Sequence, residues 1–117
     1  MGRGIEPAQV RYANVPKEED PNALMERPCV IVEVYEETNE VAIIKLTKEN
    51  PRPGDPYDYA LVHWKRPHAG LPIPSTARCG KLVLVDESQI LNLRGKLHVQ
   101  DEVAITAKLE EFFEKGY

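Results

Sequence analysis

Long apolar runs are missing from this 117-residue sequence. No stretch approaches the ~20 apolar residues that a bilayer-spanning helix needs, so no transmembrane segment is expected. The opening Met1-Gly2-Arg3-Gly4-Ile5-Glu6-Pro7 has one basic residue and no apolar stretch behind it, which does not read as a secretory signal. Cysteine is scarce. Cys29 and Cys79 lie 50 positions apart and read as free, mostly buried thiols of a cytoplasmic protein. Histidine is scarce too: His63, His68 and His98 show no ligand spacing with each other or with the cysteines. No metal site is expected from that pattern, and no cofactor, because neither a P-loop nor a G-x-G-x-x-G occurs. Gly70 and Gly80 stand alone and read as turn residues.

The remaining composition is that of an ordinary globular chain, with 42% hydrophobic and 29% charged residues. Its length provides for one domain, 1–117, with 1–7 expected to be flexible. Net charge is −4, yet residues 45–81 hold seven basic and three acidic side chains, a local balance of +4. The rest of the chain carries −8. Local potential steers a ligand more than the total does, so a polyanionic partner is compatible with the basic middle; scatter on a solvated surface is the plainer reading.

Period-2 alternation in Gln9–Val15 predicts a short, half-buried strand. Residues 16–27, with Pro16, Pro21 and Glu18-Glu19-Asp20, read as a loop. The β-branched run Cys29–Tyr35 and the run Val41–Leu46, separated by a polar segment with Asn39, predict a hairpin. Four breakers between Pro51 and Pro56 exclude a helix or central strand there. Further strands are expected at Tyr59–Val62, at Ser75–Cys79 and at Lys81–Val85, the last as a strand buried on both faces. From Val99 the apolar residues fall near helical spacing: Val103, Ile105, Leu109, Phe112 and Phe113. They predict a helix over about Asp101–Glu114, with Gly116 as its C-cap. Mainly β with a C-terminal helix, folded as a small bent barrel or sandwich, is the expected class.

One stretch bears on chemistry. In Glu26-Arg27-Pro28-Cys29-Val30-Ile31-Val32, the proline forces Arg27 into an extended conformation at the mouth of a buried strand. If the hairpin turns near Glu37–Asn39, Thr47 at the end of the next strand lies opposite Arg27. A guanidinium fork and a hydroxyl at one sheet edge suit a phosphate. A rim arginine paired with Glu26 or Glu49, beside a threonine that merely fills a strand end, is the alternative. Trp64, Tyr57 and Tyr59 interleave with Arg52, Lys65 and Arg66, as suits stacking of unpaired bases beside phosphate-tracking cations. Trp64 as a loop anchor is an equally physical reading.

The order Arg27-Pro28, hydrophobic hairpin, Thr47, proline-rich loop and Ser75-Thr76-Ala77-Arg78-Cys79 resembles the MazF/PemK family of toxin endoribonucleases. So does the tail, from Gly95-Lys96-Leu97 into the helix ending Leu109-Glu110-Glu111-Phe112-Phe113. The resemblance implies an SH3-like barrel of five to seven short strands and a cytoplasmic homodimer. It implies metal-independent, sequence-specific cleavage of single-stranded RNA by 2′-hydroxyl attack, and a cognate antitoxin peptide as partner. Arg27, Thr47 and Arg78 fall on its catalytic positions, and Lys48, Arg52, Trp64, Lys65, Arg66 and His68 become candidate RNA contacts. His63 and His68 are titratable candidates for the proton acceptor, which arginine is too basic to be. The chain departs from the family where Ala8-Gln9 replaces Gly-Asp, where Asn22 and Ala23 stand near the usual Glu-Gln, and where Gly80 replaces the acidic residue after Arg-Cys. A non-catalytic barrel, either a nucleic-acid-binding module or a topoisomerase inhibitor of the CcdB type, is the competing function. Glu18-Glu19-Asp20 could also shield the site as an RNA mimic.

Overall fold

The computed structural model describes residues 4–115. Six strands form one antiparallel sheet: β1 (Gln9–Pro16), β2 (Leu24–Tyr35), β3 (Glu40–Thr47), β4 (Asp58–Ala60), β5 (Thr76–Asp86) and β6 (Ile90–Lys96). A single 3₁₀ turn (Glu87–Gln89) precedes β6, and helix α1 (Val99–Lys115) follows it. The sheet order is β4-β5-β3-β2-β1-β6. β4 and β6 do not pair with each other, so the expected barrel is a curled but unclosed sheet. Among the described residues no helix is long and apolar enough to cross a membrane.

Curling lets one sheet bury both faces. Val10, Val30, Ile44, Leu46 and Cys79 pack beneath Ile105 and Leu109 of α1. The alternate residues Ala13, Val15, Cys29, Ile31, Ile43 and Val85 form a second core on the opposite face, with Ile5 and Ile90. The two-sided burial expected of Lys81–Val85 belongs instead to Val41–Ile44, all buried, whereas Leu84 is 51% exposed. Full burial of Ile31, Ile43 and Ile44 contributes about 2–3 kcal/mol each. Ile5 packs in this second core.

The β2–β3 hairpin forms as predicted, with Val30 opposite Ile44 and Tyr35 opposite Glu40. Asn39 takes the left-handed conformation at the turn (φ +58°), which asparagine tolerates. β2 starts three residues before Arg27, shortening the expected loop, and Arg27 pairs with Ala13 of β1. The two strands expected on either side of Gly80 are one strand. Its register against β3 jumps from Ile44–Leu82 to Leu46–Ala77, so Gly80 lies in an irregular stretch of ladder rather than in a turn. Such irregularities bend a strand and re-aim its side chains. Strand β6 was not expected at all. α1 begins two residues earlier than predicted, and its inward face is Asp101, Ile105 and Leu109; Val99 and Val103 face outward, 64% and 63% exposed. The expected cap, Gly116, lies outside the described residues.

Candidate functional site

The β2–β3 ladder runs only to the pair Cys29–Lys45. Beyond it the strand ends diverge and leave a hollow of about 200 Å³. Arg27, Thr47 and Arg78 all line it, together with Lys17, Glu18, Glu19, Met25, Lys45, Leu46 and Glu49. Three positions spread over 52 residues of sequence thus share one recess. It is smaller than the ~300–1,000 Å³ of small-molecule pockets and suits a single anchored group.

Each side chain is held differently. Arg27 is half-buried, and among the described residues its guanidinium has no ion pair or side-chain hydrogen bond, which leaves the fork open. The Thr47 hydroxyl accepts from the Glu49 backbone N–H at 3.2 Å, so its own proton remains available to a ligand. Arg78 is buried, with 8% exposure. Its Nη1 donates to Asp58 Oδ2 at 2.9 Å and its Nη2 to Glu49 Oε1 at 2.8 Å. The Asp58 carboxylate is fully buried and also receives the Arg52 backbone N–H at 2.9 Å and Arg52 Nε at 3.1 Å. Burial alone would raise the Asp58 pKa; the hydrogen bonds from Arg52 and the charge of Arg78 outweigh it and hold the group below the usual carboxylate range. Arg52, a candidate RNA contact, also binds Asp55 at 2.6 Å, so its guanidinium bridges two carboxylates.

Four cations and three carboxylates share the hollow. Glu18 reaches Lys45 at 3.3 Å and Lys81 at 3.6 Å from the loop between β1 and β2. The hydrogen bond and charge of Lys45, with the charge of Lys81, lower its pKa and keep it ionised. Two carboxylates, Glu18 and Glu49, thus occupy cations that an incoming anion would contact. Glu49, expected from the sequence as a possible partner of Arg27, pairs with Arg78 instead, and Asp58 carried no signal in the sequence.

His63 and His68 do not line this hollow. They converge with His98, for which no sequence spacing gave a signal: one ring nitrogen from each lies within 4.8 Å of the others. The His63 and His98 rings stack at 3.8 Å. Desolvation and the two neighbouring imidazoles lower the His98 pKa. Trp64, Lys65 and Arg66 line a separate recess of about 410 Å³ with Gly70, Leu71, Pro72 and Arg94. Lys65 Nζ lies 5.6 Å from the Trp64 ring centroid, and Trp64 also packs on the helix-side core, which is the loop-anchor arrangement. Lys48 is exposed beside Thr47. Tyr57 and Tyr59 are structural: Tyr57 packs edge-on against Phe112, and the Tyr59 hydroxyl donates to Asp101 at 2.7 Å. Burial pushes both thiols, Cys29 and Cys79, up to about 12, far from a reactive thiolate.

The fold has close counterparts. A mycobacterial endoribonuclease solved with its cognate antitoxin superposes with a TM-score of 0.72 at 13% identity, covering 97% of this chain and 99% of that one. The Mycobacterium tuberculosis toxin MazF-mt6 gives 0.68 at 16% identity over 91% and 96%. A Deinococcus radiodurans MazE–MazF structure gives 0.72 at 11% over 96% and 98%. Comparison with curated proteins finds no match at the sequence level. A family model for the PemK-like, MazF-like toxins of type II toxin–antitoxin systems matches residues 6–113. On that match, which spans nearly the whole described chain, the protein belongs to the PemK-like, MazF-like toxin family.

Proposed function

We propose that the protein is a cytoplasmic, metal-independent endoribonuclease that cleaves single-stranded RNA at specific sequences, as the toxin of a type II toxin–antitoxin pair. One observation carries the reading: a guanidinium with no ion pair among the described residues, a hydroxyl that accepts and keeps its proton to donate, and a second, anchored guanidinium line one anion-sized hollow. Attack of a ribose 2′-hydroxyl on the adjacent phosphorus forms the 2′-O–P bond and breaks the P–O5′ bond. Charge accumulates on the non-bridging oxygens as it does so. Preorganised donors at those oxygens lower the barrier more than they stabilise the bound substrate. Arg27 and Arg78 supply the charge, and Thr47 orients the phosphate. Glu49, beside Arg78 at the hollow, takes the 2′-hydroxyl proton, and the departing 5′-oxygen is protonated by water. The acidic side chain absent at position 80 thus has a counterpart supplied from two residues beyond β3.

The recess of Trp64, Lys65, Arg66 and Arg94 offers an aromatic face and cations to flanking nucleotides, with Lys48 and His68 as further contacts. A homodimer extends that surface, and an acidic antitoxin segment competes for the cations that Glu18 and Glu49 hold at rest. The test is cleavage of two otherwise identical oligoribonucleotides, one with a single 2′-deoxy sugar at the cut site. The all-ribose strand is expected to be cut there and the substituted strand to stay intact. Cutting of both strands refutes 2′-hydroxyl attack. Salt-dependent binding with no product from either identifies a non-catalytic barrel instead.

A further inference from the structure

We propose that His63, His68 and His98 bind one divalent transition-metal ion, of the zinc or nickel class, which clasps the loop after β4 to the start of α1. The ligand set is all imidazole, which selects such ions over magnesium or calcium. One ring nitrogen from each residue lies within 4.8 Å of the other two, so a point exists no more than about 2.8 Å from all three. Metal–nitrogen bonds of ~2.0–2.1 Å then require each nitrogen to move inward by only about 0.7 Å.

The backbone already fixes the three positions. The His63 N–H donates to Asp101 Oδ2 at 2.9 Å. The His68 carbonyl accepts from Lys96 N–H at 3.0 Å, and its own N–H donates to the Lys65 carbonyl at 3.0 Å. The His98 carbonyl accepts from Glu102 N–H at 2.9 Å as α1 begins. The rings must still rotate, above all the His63–His98 pair, which stacks 19° from parallel and has to turn before both lone pairs can meet one ion. Nε2 of His63 lies 3.0 Å from Gln100 Oε1; donating there leaves Nδ1 with the lone pair, the outer-sphere arrangement that orients a metal-bound imidazole.

A second feature points to a cation independently of the rings. Asp101 is 0% exposed, and its carboxylate is met by Tyr59 Oη, Val62 N–H and His63 N–H, all neutral donors. No cationic side chain pairs with it among the described residues. A metal on the histidines would add positive charge to the residue whose backbone N–H this buried anion binds. One bond is exchanged in return. His98 Nδ1 accepts from Gln100 N–H at 2.9 Å and caps the helix, and a neutral imidazole cannot both accept there and ligate through its other nitrogen. Metal binding therefore replaces one cap bond with three metal–nitrogen bonds.

The experiment uses the untagged full chain, stripped with chelator, desalted, and titrated calorimetrically with ZnCl₂ and with NiCl₂. One ion per chain is expected, with a rise in Tm on the order of 10 °C at a hundredfold excess over Kd. In wild-type protein the imidazole proton signals of all three histidines should shift together along the same isotherm. His98→Asn retains a good capping side chain. It is expected to keep the metal-free Tm and to lose at least thirtyfold in affinity, whereas Arg27→Ala should bind the ion like wild type whether or not it cleaves RNA. No binding up to about 1 mM metal overturns the proposal. So does a titration that shifts fewer than three imidazoles, or one that is unchanged in the His63→Asn, His68→Asn, His98→Asn triple variant.

Discussion

Replacing Asp58 with asparagine removes the charge that anchors Arg78 while keeping the shape of the side chain. Four donors converge on this carboxylate: the Arg52 backbone N–H, Arg52 Nε, Arg52 Nη2 at 3.3 Å and Arg78 Nη1. The asparagine carbonyl can accept from two of them. Arg78, with a side chain 10% exposed, would keep only Glu49, itself 70% exposed. Breaking a buried pair by removing one partner costs about 3–5 kcal/mol, and the retained bonds bring the expectation to about 2–4 kcal/mol. At an m-value of ~1.5 kcal/mol/M, the urea midpoint should fall by roughly 1.3–2.7 M. The loss must also depend on pH. Because the Asp58 pKa is depressed in the fold, its stabilisation is present above the unfolded value of about 4 and is lost as pH falls through the folded value. The midpoints of wild type and Asp58→Asn should therefore converge between pH 5 and pH 2. Cleavage by the variant, assayed at a urea-free pH 7 where it remains folded, should drop at least tenfold as Arg78 loses its aim. A midpoint shift under 0.3 M on the order-of-magnitude scale above, with a constant gap across that pH range, would refute the anchoring argument.

Three further substitutions probe other parts of the account. Glu18→Gln frees Lys45 and Lys81 and should tighten single-stranded RNA binding by about two- to fivefold at low salt, an advantage that disappears as ionic strength rises; equal affinity in a filter-binding titration removes the idea that this loop competes with RNA. Ala8 sits at φ +73°, a conformation that costs an L-residue about 1–2 kcal/mol; Ala8→Gly should raise stability by roughly 0.5–1 kcal/mol in urea melts, and a loss of stability would contradict the strain. A Cβ at Gly95 would collide with the His68 carbonyl, so Gly95→Ala should destabilise by about 2 kcal/mol or more and would disprove the close approach of β6 to the histidine loop if it were neutral.

The hairpin and the placing of Arg27 and Thr47 at one end of it were legible because both are local. Alternation with period 2 fixes which residues face which core, and counting back from the turn fixes what lies opposite what. The same reasoning failed on Lys81–Val85, since an apolar run does not reveal whether a neighbour covers its second face, and here Leu84 has none. β6 was hidden because only Ile90 of its seven residues is buried, leaving Asn92, Arg94 and Lys96 to read as loop. Asp101 was hidden for the opposite reason: a carboxylate in the first turn of a helix reads as solvated, whereas this one holds the loop at Val62 and His63. The ion pairs of Arg78 and the meeting of three histidines exist only in three dimensions, and no spacing along the chain encodes them. The departure at position 8 gains a physical meaning from the structure, because Ala8 occupies a backbone conformation that glycine would adopt without strain.

The most direct measurement takes wild type, Arg27→Ala and Thr47→Val, each treated with EDTA, and identifies the ends left on a single-stranded RNA. The account predicts a 2′,3′-cyclic phosphate and a 5′-hydroxyl from wild type, with product formation down by at least a hundredfold in Arg27→Ala and by about tenfold in Thr47→Val, on the scale that single oxyanion donors show elsewhere. Undiminished cleavage by Arg27→Ala, or products that carry a 5′-phosphate, would contradict it.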